Sequence, residues 1–125
     1  MQSISSEQAK TIGREYFHRL LNQKDLAVCD ELLAHDYIDH DAPADAPPGP
    51  REAKWFVSQM LKERPDMQVT VEDVFAEGNR VALRNIWHWT DGESGEKRRR
   101  MGILILRLND NGQIAERWSA YKMMQ

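Results

Sequence analysis

The apolar period of this chain changes once, at Pro65, and that change limits what it can fold into. Before Pro65 apolar residues recur every three or four positions, as on one face of a helix. Beyond it they alternate with polar ones, as on strands buried on one side. The segment "SSEQAKTIGREYFHRLLNQ" opens with Ser5 and Gln8 at capping-box spacing and carries the stripe Ala9, Ile12, Tyr16 and Leu20. A second, shorter helix is predicted from an N-cap at Asp25 through "LAVCDELL", with Leu26, Cys29 and Leu33 on one side. Cys29 reads there as a small buried hydrophobe, not a nucleophile. A third helix starts with Pro50 in its first turn, presents Ala53, Phe56, Val57, Met60 and Leu61 on one side, and is stopped by Pro65.

After the switch, Met67, Val69 and Val71 alternate with Gln68, Thr70 and Glu72. Three further strands are predicted in "RVALRNIWHWT", "RRRMGILILRL" and "QIAERWSAYKMM", joined by the turns "AEGNR", "DGESGE" and "NDNG". Helices followed by a meander give an α+β fold: a cone-shaped, curved antiparallel sheet packed against three N-terminal helices, with a cavity between the layers. With 125 residues, 41% hydrophobic and 30% charged, the chain is expected to form one ordered domain over 1–125. A net charge of -3 offers nothing to the phosphates that dominate nucleic-acid binding, so no nucleic-acid partner is expected. No apolar run approaches a membrane span, and "MQSISSEQAKTIG" lacks the pattern of a signal peptide. One cysteine cannot form an internal disulfide. The expectation is a cytoplasmic protein with no membrane partner.

The second and third helices are joined by "DYIDHDAPADAPPGP", residues 36–50, which is read as a stiffened, acidic loop. His40 can take and give a proton near neutrality, and Asp41 could do so if an apolar cavity raised its pKa. The plainer reading is that Asp39, His40 and Asp41 bind loop amides and water. His35, Asp36, Asp39, His40 and Asp41 crowd together, but not at metal-ligand spacing, and no metal is expected. "KRRRM" reads as a solvated hairpin edge rather than a polyanion site.

The succession "ELLAHDYIDHD", proline-rich loop, "GPREAKWFV", "RPDMQVTVEDVFAEGNRVALR" and "DNGQIAERWSAY" resembles the SnoaL-like proteins of the nuclear-transport-factor-2-like superfamily, from about Ala9 to Tyr121. The resemblance implies a cone-shaped α+β barrel, a deep apolar pocket, no obligatory cofactor and a homodimer packed sheet to sheet. The histidine and aspartate of SnoaL-type cyclases match Leu104 and Ser119 here, so both are missing. The Asp-Arg-Asp set of limonene epoxide hydrolase falls near Ile86, His88 and Ser119, and the base of ketosteroid isomerase near Asp41. The hydrolase match puts Ile86 and His88 inside the cavity, sharing a strand face with Ala82 and Arg84. Arg84 is expected to pair there with Glu72 or Glu116. The opposite face, with Trp87 and Trp89, becomes the expected dimer surface.

These readings give His40, Asp41 and His88 as acid–base candidates, and Tyr16, Tyr37, Trp55, Ile86, Ser119 and Tyr121 as substrate-binding ones. The function expected is cofactor-free proton transfer on a small hydrophobic, carbonyl-bearing ring compound: isomerisation, cyclisation or dehydration. The alternative is a non-catalytic ligand-binding or dimeric module that has lost the cyclase acid and base.

Overall fold

The computed structural model describes residues 4–124. Helix α1, Ser6–Phe17, begins at Ser5, whose hydroxyl accepts from the Gln8 amide while the Gln8 side chain accepts from the Ser5 amide. It runs on into one wide π-helical turn, His18–Asn22, closed by the Gln23 amide donating to the His18 carbonyl at 3.1 Å. The extra residue in that turn buries the consecutive Leu20 and Leu21 together. It also brings Asn22 to the sheet, where its side chain accepts from the Val69 amide at 2.8 Å and donates to the Val69 carbonyl at 2.9 Å.

The second helix is shorter than its periodicity predicts: α2 spans only Val28–Leu32. Leu33, expected on its apolar face, instead opens a strand, β1, Leu33–Asp39. The acidic connection therefore begins as strand, over residues 36–39. β1 runs parallel to the last strand, and the pairing continues to the His40 amide, which donates to the Arg117 carbonyl at 2.9 Å. The helix-like spacing of Leu26, Cys29 and Leu33 masked this, because a short apolar run fits either period.

Helix α3, Pro50–Glu63, starts at Gly49, whose φ of +66° suits glycine and whose α-carbon lies so close to the His35 carbonyl that a Cβ would sit 3.0 Å from it. The four remaining strands are β2, Gln68–Glu77; β3, Arg80–Thr90; β4, Lys97–Leu108; and β5, Ile114–Met124. They form a curved, unclosed five-stranded sheet in the order β1-β5-β4-β3-β2, antiparallel except for β1 against β5.

The helices cover one face of this sheet, and the tryptophans define which. Val81, Leu83, Asn85, Trp87 and Trp89 of β3 are all buried under them, and a Cβ at Gly13 of α1 would lie 3.5 Å from Leu83 and 3.6 Å from Val81. Leu104, Leu106 and Leu108 continue that inner face on β4. The register on β3 is thus the reverse of the expectation. Ala82, Arg84, Ile86 and His88 look away from the helices, and Trp87 and Trp89 form core, not an outer dimer surface. Arg84 pairs on that outer face with Asp73, Nε to Oδ2 at 2.6 Å, rather than with Glu72 or Glu116. Burial explains the choice: Val81, Leu83, Trp87 and Trp89 outweigh the mixed even set, even though polar Asn85 is buried with them.

Candidate functional site

The inner face leaves a cavity of about 80 Å³, open at one side, between the sheet, α1 and α3. Its floor is Trp87, Arg100, Arg117, Ser119 and Tyr121 from three adjacent strands. Tyr16, Phe17, Leu20 and Leu21 form one wall, Glu52, Ala53, Phe56, Val57 and Met60 the opposite wall, and Asp39, Asp41, Ala42 and Pro43 the rim. Gly102 makes this floor possible. A Cβ there would lie 2.5 Å from the Trp87 ring and 2.8 Å from the Tyr121 ring, which meet over the glycine with centroids 5.4 Å apart.

Four of the expected residues stand on the cavity surface: Tyr16, Asp41, Ser119 and Tyr121. Asp41 is exposed at the rim, where its Oδ2 accepts from the Ser119 backbone amide at 2.7 Å and ties the loop to β5. Tyr16 is fully buried, and its hydroxyl has no hydrogen-bond partner other than the weak Cys29 thiol beside it. Burial holds the Tyr16 phenol well above its usual range and pushes the Cys29 thiol up to about 11.

The other five lie elsewhere. His40 is on the far side of the sheet: Nε2 sits 2.8 Å from Glu116 Oε2, and its ring stacks on Trp118 at 4.7 Å. Strand alternation puts it there, because Glu116 and Trp118 point outward while Arg117, Ser119 and Tyr121 point in. His88 lies in a separate surface depression with Asp66, Lys97, Arg98 and Arg99. Ile86 shares that outer face. Tyr37 is buried in β1 next to Arg117 without lining the cavity, and Trp55 is an exposed residue of α3. Both were expected to look inward because aromatic content alone does not report direction. Among the described residues, no three His, Cys, Asp or Glu side chains group closely enough to hold a metal ion.

Three charged groups that sequence reasoning passed over dominate the cavity. Glu52 is 7% exposed. An acid in the first turn of a helix is ordinarily held down by the helix dipole. Here burial wins, reinforced by the nearby Asp39 charge and opposed by Arg117, and the carboxyl is pushed up to about 7. Its sequence signal was present but faint: Glu52 precedes Phe56 by four residues, so it extends the apolar stripe of α3.

Arg117 donates from Nε to the Ser119 hydroxyl at 2.9 Å and from Nη2 to the Tyr121 hydroxyl at 2.5 Å. Burial works against its charge, but Tyr121, Tyr37, Tyr16 and Asp39 around it more than compensate, and its pKa lies above the ordinary guanidinium value. Because both hydroxyls accept from Arg117, each keeps its own O–H free to donate. Arg100 lies with Cζ 4.4 Å from the Tyr121 ring centroid and 5.5 Å from that of Trp87. Glu52 and this donor set line one cavity, so a carboxyl near neutral pH and hydroxyls polarised by a cation, groups that can move a proton at a carbonyl compound, face the same space.

Comparison with known proteins fits this architecture. TsrD from Streptomyces laurentii superimposes with a TM-score of 0.82 at 18% identity, covering 93% of this chain and 89% of its own. A SnoaL-like polyketide cyclase from Agrobacterium tumefaciens gives 0.77 at 15% identity, over 98% and 93%. AclR from Streptomyces galilaeus gives 0.79 at 25% identity, over 95% and 81%. No curated protein matches the sequence. The SnoaL-like domain family matches residues 14–117, which is most of the chain, and with the shared fold this settles the relationship: the protein belongs to the SnoaL-like family.

Proposed function

We propose that this protein is a cofactor-free enzyme that moves a proton next to the carbonyl of a small hydrophobic ring compound, as an isomerase, cyclase or dehydratase does. The observation that carries the reading is the buried Glu52 carboxyl on the cavity wall, pushed up to about 7. At that value a carboxylate both accepts and returns a proton at physiological pH. The ring lies among Phe17, Leu20, Phe56 and Trp87, and its carbonyl oxygen accepts from the Tyr121 and Ser119 hydroxyls. Arg117 polarises those hydroxyls and stabilises the charge that develops when the α-proton leaves. Asp41 braces the strand that carries them. Tyr16 closes the wall.

The test is deuterium exchange at the α-carbon of ring ketones such as 1-tetralone in heavy water, followed by NMR. The wild-type protein is expected to accelerate exchange, with a rate that rises through about pH 7 as Glu52 ionises. Glu52→Gln should lower the rate by roughly a hundredfold or more. Unchanged exchange in that variant would remove Glu52 from the mechanism. Ligand-induced thermal stabilisation with no exchange in the wild type would favour the second reading, a binding module. That reading draws on Leu104 and Ser119, cross-strand partners that carry no acid or base.

Two coarser proposals accompany this one. A homodimer through the outer sheet face would cover the exposed Phe75, Ile103 and Ile105, and sedimentation at micromolar concentration tests it. A reducing, cytoplasmic setting suits the single buried thiol of Cys29, and fractionation of the host cell tests that. No helix among the described residues is long and apolar enough to cross a membrane.

A further inference from the structure

The cavity floor holds a cation whose use the proton-transfer scheme leaves open. Arg100 Nε is sealed from solvent and has no hydrogen-bond partner. Among the described residues no ion pair within 4.0 Å involves Arg100, whereas Arg19, Arg84, Arg98 and Arg107 each meet a carboxylate. The charged groups facing it are Arg64 from the end of α3 and Arg117 from β5, both like-charged, and the polar group is Tyr121. Burial and these two neighbours pull its pKa below the ordinary guanidinium value. Packing alone does not call for this. A methionine would fill the space over Trp87 and Tyr121 without burying a charge. An arginine whose guanidinium carbon lies against two aromatic rings, which are inclined to each other at 68°, is instead held in place at the floor.

We propose that Arg100 is an anion anchor, and that the natural ligand is a hydrophobic ring compound bearing a carboxylate. The inference rests on the ring-ligand reading above and adds the charged substituent to it. Arg117 is not that anchor, because two of its nitrogens already serve Ser119 and Tyr121. Glu52 and Asp41 lie across the cavity and at its rim, so an anion on Arg100 would leave the reacting carbon free to approach the base. A bound carboxylate would also supply the counter-charge that Arg100 lacks, through charge-assisted and bidentate hydrogen bonds.

The proposal is tested with 1-naphthylacetate and 1-naphthylacetamide, which share a shape and differ in charge, by calorimetry at neutral pH. The wild-type protein should bind the acid about tenfold to a hundredfold more tightly. Arg100→Met should erase that preference while still binding the amide, and Arg100→Lys should keep part of it. The Arg100 Nε–H resonance of the wild-type protein should move on adding the acid and not the amide, a readout that needs no variant to fold. Equal affinities, a preference that survives Arg100→Met, a resonance that ignores the acid, or no binding of either compound would each overturn the anchor. Exchange in Glu52→Gln reports on the base and the acid-to-amide ratio on the anchor, so the two readings fail separately.

Discussion

Two clusters of charge sit back to back on β5, and the same strand builds both. Outward, Glu116 meets His40 Nε2 at 2.8 Å and also pairs with Arg107, while Trp118 lies under the His40 ring. Inward, Arg117, Ser119 and Tyr121 face a cavity that also holds Glu52 and Arg100. The outer acid is satisfied: hydrogen bonds from His40 and then Arg107 hold Glu116 below its usual range. The inner acid is not, and loss of water drives Glu52 up to about 7. Identical residue types thus shift in opposite directions on the two sides, according to whether pairing or desolvation sets their charge.

The largest expected effect comes from disturbing the floor that separates the two sides. Gly102→Ala forces a methyl group into the Trp87 and Tyr121 rings, both anchored in neighbouring strands. We expect a loss of about 3 kcal/mol in chemical denaturation, with weakened ligand binding. A loss near zero would mean that the floor yields, and that the cavity is not as fixed as the inner cluster requires.

Next is the pH dependence of stability, which has opposite signs for the two glutamates. Glu52 has a folded pKa raised from 4.5 to about 7, so the folded state holds its proton longer than the unfolded chain. Stability from this group is full below pH 4.5 and is lost as pH rises to about 7. Glu52→Gln should therefore stabilise the protein at pH 8 by about 2 kcal/mol, less than the full shift because the amide is also costly to bury. Below pH 5 the advantage should shrink towards zero. A variant less stable than wild type at pH 8 would show that the Glu52 carboxylate is satisfied, and would break the contrast with Glu116.

The helical half of the fold, the meander and the family resemblance could be read from the chain, because Ser5 with Gln8, Pro50 and the period switch at Pro65 are local signals. β1 was hidden because its partner, β5, lies some eighty residues away and supplies the pairing that the short segment cannot announce. Strand β3 carries its answer in the odd-numbered set from Val81 to Trp89, whereas the resemblance to limonene epoxide hydrolase points His88 and Ile86 inward. Of the site, Tyr16, Asp41, Ser119 and Tyr121 were legible from position. Arg100 and Arg117 were not, and Glu52 only faintly, as an extension of the α3 stripe. Each looks like an ordinary surface charge until the tertiary fold removes water from it.

The smallest effect belongs to the outer cluster, and it gives the sharpest test of the comparison. His40 and Glu116 are partly exposed, at 37% and 23% of their side chains, so water competes with their bond and salt screens it. A double-mutant cycle of His40→Ala and Glu116→Ala should give a coupling small against the Glu52 effect, and smaller still at high salt. Glu116 has a depressed folded pKa, so its contribution is present above pH 4.5 and is lost as pH falls through its folded value. The coupling should therefore fade on acidification only below pH 4.5, beneath the range from about pH 7 to 4.5 in which Glu52→Gln loses its advantage. A coupling as large as the Glu52 effect and insensitive to salt would place the outer cluster in a desolvated setting of its own. It would then share with the cavity the property used here to tell the two apart.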